Sequence, residues 1–308
     1  TGVNGVGECG VFPDLSVDDS LKIEPMLTTI CETINDWVPL TPDIRQALRD
    51  FPAILCGLES AWLDVQHGGR GIYFKSEFTE SSAKIPVNGL IWMGDMNIMA
   101  ERIQLALAHD PTCIKIKIGA YDVESECRLI HDLRQKKSAS ELMIRLDANG
   151  AYNSEAIKDV LSALAPYEIH SIEQPIRQGQ HDAMADLCDW SPIPIALDEE
   201  LIGVMDSDKK VQLLKTIQPH YIVLKPSLLG GWVHSDEWVA LAESMSIGWW
   251  ATSACESNIG LSAIAQWIAH HYSGRWSDIT VQGLGTGQLY TNNVDTTLNL
   301  LNYQLYMG

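Results

Sequence analysis

Asp147, Glu173 and Asp198 each close a short apolar run (Ile144-Arg145-Leu146, Ser171-Ile172 and Ile195-Ala196-Leu197) and lie 26 and 25 residues apart. That interval is one strand plus one helix, so the acids recur in step with a βα repeat. A carboxylate at the end of a buried strand is costly unless paired or metal-bound. Three such oxygen donors on neighbouring strands suit a hard cation, Mg²⁺ with Mn²⁺ as a substitute. One acid alone would read as a loop residue capping the next helix; three in register do not. Lysines stand on either side of this set. In Ile114-Lys115-Ile116-Lys117-Ile118 the period of two puts both lysines on one strand face and the isoleucines on the other. Lys225, before Pro226, closes the apolar run Tyr221 to Leu224.

The elements that must position these groups follow a steady rhythm. From residue 88, apolar runs at 89–93, 113–118, 143–146, 169–172, 193–197, 221–224, 247–251 and 279–283 alternate with helix-like segments such as 97–108, 123–135, 154–165 and 235–244. This predicts an α/β fold, a modified TIM barrel of (β/α)7β type over residues 86–288. Residues 1–85 read as an α+β capping domain. In it, 11–17 suggests part of a hairpin, 21–37 and 41–61 suggest two helices, and the polar stretch 68–82 makes a boundary. The segment 289–308 has no barrel strand left to form and is expected to return to the capping domain.

In such a barrel the second and sixth strands face each other, and the acid-bearing strands span the arc between them. A substrate carboxylate on the cation would place its α-carbon between Lys117 and Lys225. The cation would stabilise the charge that develops as the α-proton leaves. One lysine must be neutral to take that proton, and neighbouring positive charge with partial burial is expected to lower its pKa.

Composition limits the partners. Lys plus Arg number 21 against 40 Asp plus Glu, a formal net charge of −19, so nucleic acid and anionic membrane surfaces are set aside. No apolar run approaches a bilayer span. The seven scattered cysteines include no CxxC pair, which points to reduced thiols and a cytoplasmic setting. The opening Thr1-Gly2-Val3-Asn4 has no signal peptide and no initiating Met, so the chain is expected to start partway into a longer one. Gly5-x-Gly7-x-x-Gly10 matches a dinucleotide fingerprint only formally, because Pro13 follows where a helix should start. Oligomeric state is not legible.

Lys115-x-Lys117, Asp147-Ala148-Asn149, Glu173-Gln174-Pro175, Asp198-Glu199 and Lys225-Pro226 together resemble the enolase superfamily, in its muconate-lactonising subgroup. Gly5-Val6-Gly7-Glu8-Cys9 is similar to the GxGE hairpin of that family's capping domain. Ser253 to Gly260 and Gly283 to Gln288 most resemble the o-succinylbenzoate synthase family of the menaquinone pathway, in its Bacteroidetes-type form. The resemblance implies a syn elimination of water from a cyclohexadiene carboxylate bearing a succinyl chain. By position it implies Lys117 as base, Lys225 as the opposing cation, and Asp147, Glu173 and Asp198 around Mg²⁺. Lys115 would tune Lys117, Arg145 and Asn149 would share the inward face, and Thr252, Ser253, Gly283 and Gly285 would meet the succinyl end. Two departures stand out: Gln174 replaces the second acid of the usual Glu-Glu-Pro, and the strand and mobile loop that precede GxGE in the family are not in the sequence.

Rival readings keep the barrel. An N-acylamino acid racemase uses the same opposed lysines. A dipeptide epimerase is disfavoured, because 283–286 lacks the family's Asp-x-Asp. A Schiff-base aldolase could use Lys225 but has no need of three acids in register. A non-catalytic binding barrel has no reason to keep five buried charges.

Overall fold

The computed structural model describes residues 2–18, 20–80, 83–285 and 298–307. Its strands are β1 (Ile85–Pro86), β2 (Gly89–Ile91), β3 (Cys113–Lys117), β4 (Met143–Asp147), β5 (Ser171–Glu173), β6 (Ile195–Leu197), β7 (Tyr221–Leu224), β8 (Gly248–Ala251), β9 (Leu298–Leu301) and β10 (Gln304–Met307). Strands β2 to β8 form one parallel sheet in chain order, with a helix in each crossover from β2 to β8. Alternation does the sorting: Ile114 and Ile116 of β3 are fully buried in the main apolar core, which the surrounding helices share. Aspartates start several of these helices. Asp95 accepts from Asn97 and Ile98 N, Asp122 from Ser125 N and Asp206 from Lys209 N.

The eighth barrel strand expected at 279–283 is not a strand. Gln282 and Gly283 instead make isolated parallel bridges to Val87 and Thr252, the two edges of the sheet. Asn88 N donates to Gln282 O (2.9 Å), Gln282 N to Pro86 O (2.9 Å) and Gly283 N to Ala251 O (2.8 Å). The Gln282 side chain adds an acceptor for Ala251 N at 2.8 Å. Glycines weaken a strand, but position 283 needs one: a Cβ there would come within 2.6 Å of Thr252 Oγ1.

Residues 11–17 hold no strand either. Pro13 and Asp14, the latter at φ 66°, make a tight turn closed by Ser16 N to Phe12 O (2.9 Å). The helix expected over 21–37 divides into Ile23–Glu32 and Ile34–Trp37, and that over 41–61 into Pro42–Ala47 and Pro52–Gln66. Pro52 lacks an N–H and so opens a helix where it would break one. These helices enclose a second apolar cluster of Ile30, Leu48, Phe51, Ile54, Leu55 and Leu58. The stretch 68–82 is polar in composition, yet its described part, 68–80, is anchored: Tyr73 and Phe78 are buried, and Gln266 Oε1 accepts from Tyr73 N at 2.7 Å.

Near the C-terminus, β9 and β10 join β1 in a three-stranded antiparallel sheet that straddles the expected boundary at 85/86. Its Leu305 lies in the barrel's core and Tyr303 rests against Gly89. Among the described residues no helix is long and apolar enough to cross a membrane. All seven cysteines are free thiols.

The Gly-Val-Gly-Glu segment locks the N-terminal region to the barrel. A Cβ on Gly5 or Gly7 would collide with the carbonyl oxygens of Ala61 and Gly57 in the helix Pro52–Gln66. Glu8 accepts from Ser257 N and Gly260 N, both at 2.8 Å, and from Ser257 Oγ, so it caps the helix Asn258–His271 from outside. Gly7→Ala is expected to cost about 1–3 kcal/mol, read as a lower urea midpoint; an unchanged midpoint would contradict this packing.

Candidate active site

Parallel register brings the predicted residues to one end of the sheet. Lys117 pairs with Asp147 and Asp147 with Glu173, while Glu173 pairs with Ala196, two residues before Asp198. Lys225 directly follows β7. All three acids are 1% exposed. Lys115 Nζ donates to Glu173 Oε1 at 2.7 Å and lies 2.8 Å from Asp147 Oδ2. Lys117 Nζ donates to Asp147 Oδ2 (2.6 Å) and to Asn149 Oδ1 (2.5 Å). Asn149 Nδ2 in turn donates to Glu199 Oε1 (2.8 Å), and Lys225 Nζ donates to Asp198 Oδ2.

Electrostatics follow from this wiring. Burial alone would raise Asp147, but the ammonium groups of Lys115 and Lys117 outweigh it and hold the carboxyl well below the usual range. Burial, followed by repulsion from Asp147, pushes Glu173 up to about 8. Asp198 is raised by burial, with Glu199 adding to the effect against Lys225. The expected lowering of the lysines is reversed at two positions: burial opposes the charge of Lys115 and Lys225, yet the facing carboxylates hold both above the ordinary lysine value. Four carboxyl groups, Asp147, Glu173, Asp198 and Glu199, stand among three ammonium groups, so full ionisation of the set would leave one negative charge uncompensated.

That surplus is the chemistry of a cation site. The buried Oε2 of Glu173 has no hydrogen-bond partner, and the donors are hard oxygens on adjacent strand ends. In the described conformation no three acidic, histidine or cysteine side chains among the described residues converge as a finished cage, because ammonium groups hold the carboxylates. The donor set fits a divalent cation that takes over those contacts.

Other predicted residues sit apart. Arg145 shares the inward face one layer below, level with Lys115 and Ser171. It stacks 3.9 Å from the Trp250 ring centroid and donates to Val281 O at 2.8 Å, forming a floor. Thr252, Ser253, Gly283 and Gly285 do come together, but their donors are taken up by neighbouring backbone and by one another. Thr252 Oγ1 donates to Gly283 O (2.7 Å), Ser253 Oγ to Gly285 O (2.6 Å) and Gly285 N to Ser253 Oγ (3.1 Å). They stitch the ring shut. Thr286, Gly287 and Gln288 lie outside the described residues.

Sequence reasoning missed Leu90 and Trp92 as site residues. Leu90 pairs with Lys115, so Trp92 extends alongside Lys117 on the inward face. Lys117 Nζ stands 5.4 Å from the Trp92 ring centroid. Both apolar side chains are nearly half exposed, at 48% and 47%. Matching the period of two in 89–93 to that in 113–118 was the available signal. Glu199 was read only as part of a motif, although it orients Asn149.

The family "Enolase C-terminal domain-like" matches residues 98–294. An o-succinylbenzoate synthase from Desulfotalea psychrophila is 42% identical, covering 96% of this chain and 87% of its own. The chain belongs to the enolase superfamily. The crystal structure of MenC from the same organism superposes with a TM-score of 0.87 at 40% identity, over 99% of this chain and 91% of that one. At 18% identity, the L-Ala-D/L-Glu epimerase of Bacillus subtilis shares the enolase-superfamily fold, with a TM-score of 0.80 over 99% and 85% of the two chains.

Lys115 is the hinge of the charge balance. Lys115→Met leaves Asp147 and Glu173 facing each other, and breaking a buried pair in this way costs about 3–5 kcal/mol. Urea unfolding in cation-free buffer should show that loss; a stability within experimental error of the parent would mean the ammonium is not needed there.

Proposed function

We propose that this chain is an o-succinylbenzoate synthase, a carbon–oxygen lyase acting on 2-succinyl-6-hydroxy-2,4-cyclohexadiene-1-carboxylate in menaquinone biosynthesis. The observation that carries this reading is the placement of Lys117 and Lys225 on either side of three buried strand-end carboxylates, together with the name and coverage of the 42% identical relative.

When bound at Asp147, Glu173 and Asp198, Mg²⁺ would supply positive charge that polarises the substrate carboxylate and compensates the acids that now pair with the lysines. Lys117, as the free amine, takes the proton from C1 through Nζ. The resulting ammonium returns that proton to the hydroxyl leaving C6 on the same face, so H and OH depart as one water and the ring becomes aromatic. Lys225 remains an ammonium on the opposite side and stabilises the enolate electrostatically. Asn149, oriented by Glu199, aims Lys117. Leu90 and Trp92 offer an apolar wall beside the base for the diene ring. The Thr252–Ser253 and Gly283–Gly285 segments border the place of the succinyl end. Free thiols support a cytoplasmic setting, and the partner is a small carboxylate.

Lys117→Ala should lower kcat for dehydration by about 10²–10⁴-fold with the circular dichroism spectrum unchanged, and near-normal turnover would remove it as the base. EDTA should abolish turnover of the parent and Mg²⁺ restore it. The substrate is decided by comparing kcat/KM for the cyclohexadiene carboxylate with that for N-succinyl and other N-acylamino acids. The dehydration is expected to be the faster reaction, and the reverse order would assign the two lysines to racemisation.

A further inference from the structure

Gln174 follows Glu173 but points the other way. It is fully buried and holds a left-handed backbone (φ 39°), a conformation that persists only where the surroundings over-determine it. Both ends of its amide are committed. Nε2 donates to Ile176 O (3.0 Å) and to Glu200 Oε2 (3.1 Å). Oε1 accepts from Asp198 N (3.2 Å) and Glu200 N (3.3 Å). Its backbone is tied as well, through Gln174 N to Ala196 O (2.9 Å) and Gly150 N to Gln174 O (2.7 Å). The other oxygen of Glu200 accepts from Gly179 N at 2.7 Å and lies 3.0 Å from His181 Nε2.

This arrangement joins the ends of three strands. The turn after β4 meets Gln174 through Gly150, the turn after β5 through Ile176, and the start of the β6 loop through the amides of Asp198 and Glu200. Two acceptors and two donors surround one side chain, and only a neutral amide of this length answers all four. A carboxylate at 174 would lose both donations and face the Glu200 carboxylate.

We infer that Gln174, braced by Glu200, is a positioning residue: its amide fixes the end of β5 against the end of β6 and so holds Glu173 and Asp198 at their mutual spacing. The cation readout below rests on the proposed reading of those acids; the exchange readout does not.

The test is a double-mutant cycle of Gln174→Glu, Glu200→Gln and the pair together. Backbone hydrogen exchange over 196–201 is measured in cation-free protein, and Mg²⁺ binding by calorimetry. Gln174→Glu should speed exchange in that segment and weaken Mg²⁺ binding by about 10–100-fold. The double variant should recover most of both, because the amide introduced at 200 can donate back to the new carboxylate while its oxygen still accepts from Gly179. Exchange and affinity equal to the parent's in Gln174→Glu would overturn the inference, as would a double variant no better than the single. If Gln174→Glu does not fold, a folded double variant supports the inference and an unfolded one overturns it. Exchange that follows the cycle in a parent that binds no Mg²⁺ keeps the positioning role and removes the cation assignment.

Discussion

Buried negative charge at the strand ends is the constraint around which the molecule is arranged. Each of Asp147, Glu173 and Asp198 is desolvated, and such ions are tolerated only where opposite charge lies within a few ångströms. Lys115 and Lys117 of β3 and Lys225 after β7 meet that demand in the described conformation, one facing each acid. The compensation is incomplete, as the elevated Glu173 shows. On the proposed reading this acid cluster accepts a cation, and the same lysines that balance it then act on a substrate. Stability and chemistry therefore draw on one set of charges.

Around that set lies a layer of fully engaged polar groups. Gln174 and Glu200 tie the ends of β5 and β6, and Glu126 gathers Gly119 N, Tyr121 N and the Tyr152 hydroxyl beneath the loops after β3 and β4. Glu8 and Ser257 fasten the N-terminal segment to the loop after β8. A site made of residues from six strands keeps its geometry only if such ties hold the strand ends together.

Much of this was legible in the sequence, because strand period and βα spacing are local properties. The runs 113–118, 143–146 and 221–224 became β3, β4 and β7 with ends shifted by at most one residue, and the acids and lysines fell on the inward side as alternation required. The eighth strand was not legible: 279–283 is apolar enough to read as one, but its glycine and the Gln282 side chain replace a ladder with two bridges. The expected hairpin at 11–17 failed because Pro13 and Asp14 favour a turn, which pattern alone does not weigh against flanking valines. The direction of the lysine shifts also escaped, since it depends on distances across strands that no single chain segment encodes. Leu90 and Trp92 stayed hidden for the same reason, being ordinary apolar residues until the β2–β3 register puts them beside Lys115 and Lys117.

The most direct test of the cation-centred account is Mn²⁺-soaked crystals with anomalous diffraction. One peak is expected about 2.1 Å from oxygens of Asp147, Glu173 and Asp198, with the lysine contacts to those oxygens released. Density showing Lys115, Lys117 and Lys225 still on the carboxylates, with the metal elsewhere or nowhere, would contradict it.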